Sequence, residues 1–200
     1  MPLQNRVTPL GELIADPARG LLYGNRGCLH DGEGTIHRSF AVKRWIACRL
    51  EFKGRKRPLL RPGRYTELFF LDEATAFAAG HRPCAECRRE DYNSFVGLVG
   101  MRADAIDERL HGERLDASGQ RRLHRADAAE IVDGAFVLDD GRPWLVLGAE
   151  LLRWTAAGYT ERRRCPTRGE LELITPPTLV DVLRSGWRGS EPFLHPSAAA

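Results

Sequence analysis

The sequence predicts an α+β fold: a small metal-knuckle domain with an N-terminal arm and following helices over residues 1–118, then a β-rich domain over 119–200. Three observations predict it. Strand-like runs and turn signals fill residues 20–70. Two cysteines, Cys84 and Cys87, stand with two residues between them behind a short helix signal. Past a polar, basic joint at 119–125 the texture returns to strands, with Asp140–Gly141 as a hairpin turn.

Residues 1–19 carry Pro2, Pro9 and Pro17, which predicts an extended arm with at most a short strand near Gly11 to Ile14. Residues 27–38 read as a hairpin about the Asp31-Gly32-Glu33-Gly34 turn. Residues 43–52 alternate, with Ile46, Cys48, Leu50 and Phe52 as the apolar set, so Cys48 is expected on the core side of its strand. A basic, proline-broken loop follows, then a strand ending at Phe69 and Phe70. Asp72 is placed to cap a short helix, Ala74, Phe77 and Ala78 share a face, and Gly80 closes it. Helices are predicted over 88–99 and 103–115. In the second half come a hairpin over 134–148, strands over 149–154 and 170–175, and a helix opened by Pro176-Pro177 and closed by Gly186. The last eight residues read as a loose tail.

The hydrophobic share of 42% and charged share of 28% are those of an ordinary folded protein. No apolar run approaches the length of a membrane span. The first residues lack the layout of a secretory signal, so the cytoplasm is the expected compartment. Five cysteines in 200 residues suit metal ligation in a reducing compartment better than a disulfide framework.

Cys84 and Cys87 can turn both sulfurs toward one point, as a tetrahedral zinc site requires, and zinc wants four ligands. From Lys43 to Arg64 the chain has nine basic residues and one acid, Glu51. Such a patch is the electrostatic mark of a polyanion partner; it is also what a solvated loop looks like. Lys53, Arg55, Lys56, Arg57, Arg61 and Arg64 are the candidate phosphate contacts. Trp45, Phe52 and Tyr65 interleave with them, either as stacking surfaces or as core. A second basic cluster, Arg162 to Arg164 with Arg168, flanks Cys165, whose thiol such a setting would make reactive if exposed.

The stretch FFLDEATAFAAGHRPCAECR, Phe69 to Arg88, resembles the second half of the zinc-binding domain of the Ada family, bacterial responders to DNA alkylation. Ala79, Gly80, Arg82, Pro83, Cys84 and Cys87 carry the resemblance, which spans about residues 44–90. It implies a small zinc-binding fold, DNA as partner, and a third thiolate at Cys48. In the family the corresponding cysteine accepts a methyl group from a DNA phosphotriester. Phe52 stands where the family's second upstream cysteine would be. Cys28 is the first candidate for the open position, with His30 as the alternative and His37 and His81 behind them. If that position holds water instead, His30, Asp31 and Glu67 are candidate bases, although three thiolates make zinc a weak Lewis acid and favour a structural role. The expected function is zinc-dependent nucleic-acid binding, in DNA repair or alkylation response. The alternatives are an enzyme on DNA or modified nucleotides (an alkyl acceptor at Cys48, or a hydrolase in an inter-domain cleft) and a zinc-stabilised interaction protein.

Overall fold

Two six-stranded sheets meet across one short helix. The computed structural model describes residues 1–54 and 58–199. The first sheet is built from β1 (Gln4–Val7), β2 (Leu13–Ala15), β3 (Leu22–Asn25), β4 (Ile46–Cys48), β5 (Leu68–Phe70) and β6 (Arg82–Pro83), in the order β2-β1-β5-β3-β4-β6. The second contains β7 (His124–Asp127), β8 (Phe136–Asp139), β9 (Arg142–Leu147), β10 (Glu150–Thr155), β11 (Gly158–Arg164) and β12 (Glu170–Leu173), in the order β11-β10-β9-β8-β12-β7. The helices are α1 (Glu73–Ala78), α2 (Arg89–Val99), α3 (Ala103–Arg114) and α4 (Pro177–Arg184). The α+β class read from the sequence is the class observed.

Helix α1 has only six residues, and all six are buried. A helix buried on every side belongs between layers rather than on a surface. Ala76 and Ala79 pack on the first sheet with Val7, Leu22, Ala47, Leu68 and Phe70. Ala74 and Ala78 pack on the second with Phe136, Leu145 and Leu152. Phe77 enters a third cluster with Phe95 of α2, Leu110 of α3, Val137 of β8 and Leu179 of α4. The sequence boundary at 119 thus falls between the sheets, while α2 and α3, which precede it, bury their apolar faces against the sheet that follows it.

Asp72 caps α1 as its position suggests, accepting from the Thr75 N–H at 2.9 Å. It is fully buried and also accepts from Thr75 Oγ1, Tyr159 Oη and the His195 N–H. The helix cap is therefore shared by β11 and by residues near 195. Burial pushes the Asp72 carboxyl up, against the pull of those donors. Tyr159→Phe should cost about 1–2 kcal/mol, because it leaves one lone pair of a buried carboxylate unmet. Urea unfolding should show a lower midpoint with an unchanged m-value.

Several expectations change here. The N-terminal arm is not a free extension: β1 pairs antiparallel with β2 and parallel with β5, so it forms the sheet edge. The 27–38 hairpin is reduced to one bridge, His30↔Ile36, about the turn. The loose tail is ordered by a 3-10 turn at Pro196–Ala198 and by the bonds to Asp72 and β11. The basic cluster at 162–164 is part of β11, where Arg162 pairs with Glu150 and Arg163 with Asp139. Cys165 is buried, and burial raises its thiol pKa, so it is not the activated cysteine its neighbours suggested.

Candidate metal centre

Two structural links bring distant cysteines together. Strand β6 runs parallel to β4, with Ile46 opposite Arg82 and Ala47 opposite Pro83. The Cys84 N–H then donates to the Ala47 carbonyl at 2.9 Å, which seats Cys84 beside Cys48. The chain turns tightly at once: the Arg88 N–H donates to the Cys84 carbonyl at 3.1 Å, folding Cys87 back toward the same point. The Sγ atoms of Cys48, Cys84 and Cys87 lie within 4.8 Å of one another, and all three residues are buried. Tyr23, Ile46 and Phe52 pack around them.

The face that Cys48 occupies differs from the sequence expectation. Ala47, not Cys48, points into the core with Leu22, Leu68 and Phe70. The alternation over 46–52 is real for three residues only, since β4 ends at Cys48; Leu50 and Phe52 belong to the following loop.

The donor set fits a thiophilic ion. Backbone N–H groups of Glu86 and Cys87 point at Cys84 Sγ, the first at 3.4 Å, and the Arg49 N–H points at Cys87 Sγ. Donors aimed at sulfur favour thiolate over thiol. Hydrogen bonds from Cys48, then Cys87, pull the Cys84 thiol far below its ordinary value, and the same bond to Cys84 pushes Cys48 well up. The Cys48 and Cys87 thiols thus both direct hydrogen bonds at the Cys84 sulfur. Zinc–sulfur bonds of about 2.3 Å in a tetrahedral site put the sulfurs about 3.8 Å apart, which agrees with three sulfurs within 4.8 Å of one another.

The predicted fourth ligands are elsewhere. Among the described residues, which include every cysteine and histidine, no fourth His, Cys, Asp or Glu joins the cluster. Cys28 Sγ donates to the His30 carbonyl at 3.5 Å. The His30 ring is engaged at both nitrogens, by Thr66 Oγ1 at 2.6 Å and the Arg61 carbonyl at 3.2 Å. His30 thereby pins the base of the basic loop. The i, i+2 argument that aimed Cys28 and His30 at the metal holds within a strand, and 28–30 is not one. His81 is fully buried, takes a hydrogen bond from Arg26 Nε at 3.1 Å and packs on Trp45 and Phe70. His37 and Asp31 belong to the exposed turn region. Glu67 accepts from the Leu60 N–H at 2.8 Å, which ties it to the basic loop, and it lines the pocket beside the sulfurs.

Comparison with known proteins gives no match: no family model, no curated protein and no solved structure matches the chain. The surroundings of the sulfurs therefore carry the functional argument. All three cysteines line a pocket of 440 Å³ whose other walls include Tyr23, Tyr65, Phe69 and Arg44. Lys53, Arg61 and Arg64 are exposed on the neighbouring loop; Arg55, Lys56 and Arg57 lie outside the described residues. Trp45 proves to be core, stacked between the buried guanidinium groups of Arg26 and Arg114 at 3.8 and 4.0 Å. Phe52 and Tyr65 are half-buried in the pocket wall. Sequence reasoning missed Tyr23 and Phe69 as pocket residues. The doublet Phe69-Phe70 held the signal, because neighbours in a strand face opposite ways and only one of two adjacent aromatics can enter a core. No helix among the described residues is long and apolar enough to cross a membrane.

Proposed function

We propose that this protein is a zinc-binding nucleic-acid-binding protein of the cytoplasm, with DNA as its partner and a place in repair or alkylation response. The observation that carries the reading is the position of the three thiols. They lie buried at the wall of a pocket beside a loop with exposed Lys53, Arg61 and Arg64. The resemblance of residues 44–90 to the zinc-binding domain of the Ada family supports the same reading. Cys48, Cys84 and Cys87 would hold the ion. Zinc suits them because it is borderline soft, takes thiolate readily and has no redox chemistry of its own. When bound it supplies positive charge that keeps the sulfurs deprotonated and ties β4 to the turn before α2. The exposed cations then meet phosphates.

Elemental analysis should find one zinc per chain. Fluorescence anisotropy on a short DNA should give an affinity that falls steeply with salt. Replacing Lys53, Arg61 and Arg64 together by glutamine should flatten the plot of log K against log salt by roughly 2–3. Affinity that stays level between low and moderate salt would count decisively against phosphate contacts.

A second reading has an observation of its own: Cys48 faces the pocket rather than the core. It could take a methyl group from a phosphotriester. The methyl carbon–oxygen bond breaks, a carbon–sulfur bond forms at Cys48 Sγ, and the phosphodiester leaves with the electron pair as an anion. Mass spectrometry after exposure to methylated DNA should show one added methylene on the Cys48 peptide. An unmodified peptide removes this version and leaves the binding reading intact.

A further inference from the structure

The register of the first sheet sets four side chains in a row. Arg6 of β1 is opposite Phe69 of β5, Phe69 is opposite Tyr23 of β3, and Tyr23 is opposite Cys48 of β4. Their neighbours along the strands, Val7, Leu68, Phe70, Leu22 and Ala47, are all buried on the other face. The row therefore belongs to one surface of the sheet, with the sulfur cluster at one end and a guanidinium at the other. At strand spacings of about 4.8 Å it is roughly 14 Å long.

This surface is open. The 440 Å³ pocket at the sulfurs and a second of 640 Å³ near the N-terminus share Leu50, Leu59 and Phe69, so Phe69 lies where the two meet. Leu3, Leu50 and Leu59, which line them, are 42%, 49% and 44% exposed. Tyr23 and Phe69 meet edge to face at 6.1 Å, and the Arg6 guanidinium lies 5.0 Å over the Phe69 ring.

From this row we infer that the protein takes nucleic acid as a single strand, with unstacked bases against Phe69 and Tyr23 along the line that ends at the thiol cluster. The inference rests on the nucleic-acid reading above and names the form of its ligand. Three features favour it. Half-buried aromatic rings in a concave surface accept bases with free faces, whereas a duplex hides its base faces in its own stack. Exposed aliphatic side chains flank the rings, and these suit bases better than phosphates. Cations surround the surface: Arg6, Arg19 and Arg44 line the pockets, and Arg61 and Arg64 are exposed beyond Tyr65. These cations outnumber the carboxylates on the same walls, which are Asp16 (the charged neighbour of Arg6), Glu67 and Glu86.

The test uses the full chain loaded with zinc and a fluorescein-labelled 12-nucleotide strand, free or annealed to its complement, at one fixed salt concentration. The single strand should bind at least tenfold more tightly than the duplex. Phe69→Leu and Tyr23→Leu keep apolar volume while removing the ring. Each should weaken single-strand binding by ~5- to 150-fold, the range of one lost base stack, and leave duplex binding unchanged. Zinc content and thermal midpoint equal to wild type show that these variants are folded; if Phe69→Leu is not, Tyr23→Leu gives the same readout. Equal affinity for both forms, or a preference for duplex, overturns the inference and spares the proposed function. Displacement of the strand by poly-glutamate at equal charge concentration overturns it as well. Binding of neither form overturns both.

Discussion

Cys84→Ser is expected to abolish stoichiometric zinc binding and to lower the melting temperature of zinc-loaded protein by roughly 10 °C. Cys84 is the sulfur toward which the other two thiols and two backbone N–H groups are directed, so its loss removes the centre of the site. The magnitude follows from linkage. An ion present at a thousandfold its dissociation constant stabilises the folded chain by about 4 kcal/mol. For a domain of this size each kilocalorie moves the midpoint by ~2–4 °C. The variant should resemble wild type treated with a strong chelator. Cys28→Ser, by contrast, should keep its zinc, because Cys28 is committed to the His30 carbonyl. Elemental analysis and differential scanning calorimetry with and without chelator check both. Zinc lost from Cys28→Ser and retained by Cys84→Ser would overturn the ligand assignment.

Arg88→Ala is expected to cost about 3–5 kcal/mol, the usual consequence of leaving one partner of a buried pair alone. Arg88 and Glu73 are both fully buried and 2.5 Å apart, and Arg88 also binds Asp91 at 2.7 Å. Gly189 makes room for them: a Cβ there would come within 2.4 Å of an Arg88 nitrogen and 2.9 Å of a Glu73 oxygen. Burial pushes the Glu73 carboxyl up to about 7, although Arg88 works against it. The sign of the pH effect follows. A carboxyl that holds its proton more tightly when folded stabilises the fold fully below its unfolded value near 4.5, and this contribution disappears as pH rises through about 7. For a group this buried it is on the order of 3 kcal/mol. Urea unfolding between pH 4.5 and 8 should therefore show a decline in wild type that is absent from Glu73→Gln after their common background is subtracted. Parallel curves would show that Glu73 stays ionised in the fold throughout.

Much of the scaffold was legible because its signals are local. Asp72 and Gly80 bracket α1, Asp140 and Gly141 take the left-handed angles of a two-residue turn, and Pro177 opens α4. The Cys84–Cys87 turn is legible for the same reason. What stayed hidden depends on pairing. Nothing near Cys48 says which face it takes, since that is set by Tyr23 on one side and by the β6 strand on the other. Strand β11 looked like a charge cluster because its arginines are balanced by Glu150 and Asp139 on other strands. Cys28 and His30 looked like ligands because their type is right. Only the positions of Thr66 and Arg61, more than thirty residues later, show that the His30 ring is already occupied.

The segment after α4 returns to the start of α1 and to residues that flank the cysteine cluster. The Glu73 and Ala74 N–H groups donate to the carbonyls of Pro192 and Phe193, Ser190 binds Asp91, and Glu191 pairs with Arg49, next to Cys48. During synthesis on a ribosome, then, residues 48–91 emerge long before the partners that complete their surroundings. The three cysteines and the residues that line their pocket emerge first, and the bracing of Asp91 and Arg49 arrives only with residues 190 and 191. A nascent chain stalled short of that point would present its three sulfurs and their pocket on an unbraced turn.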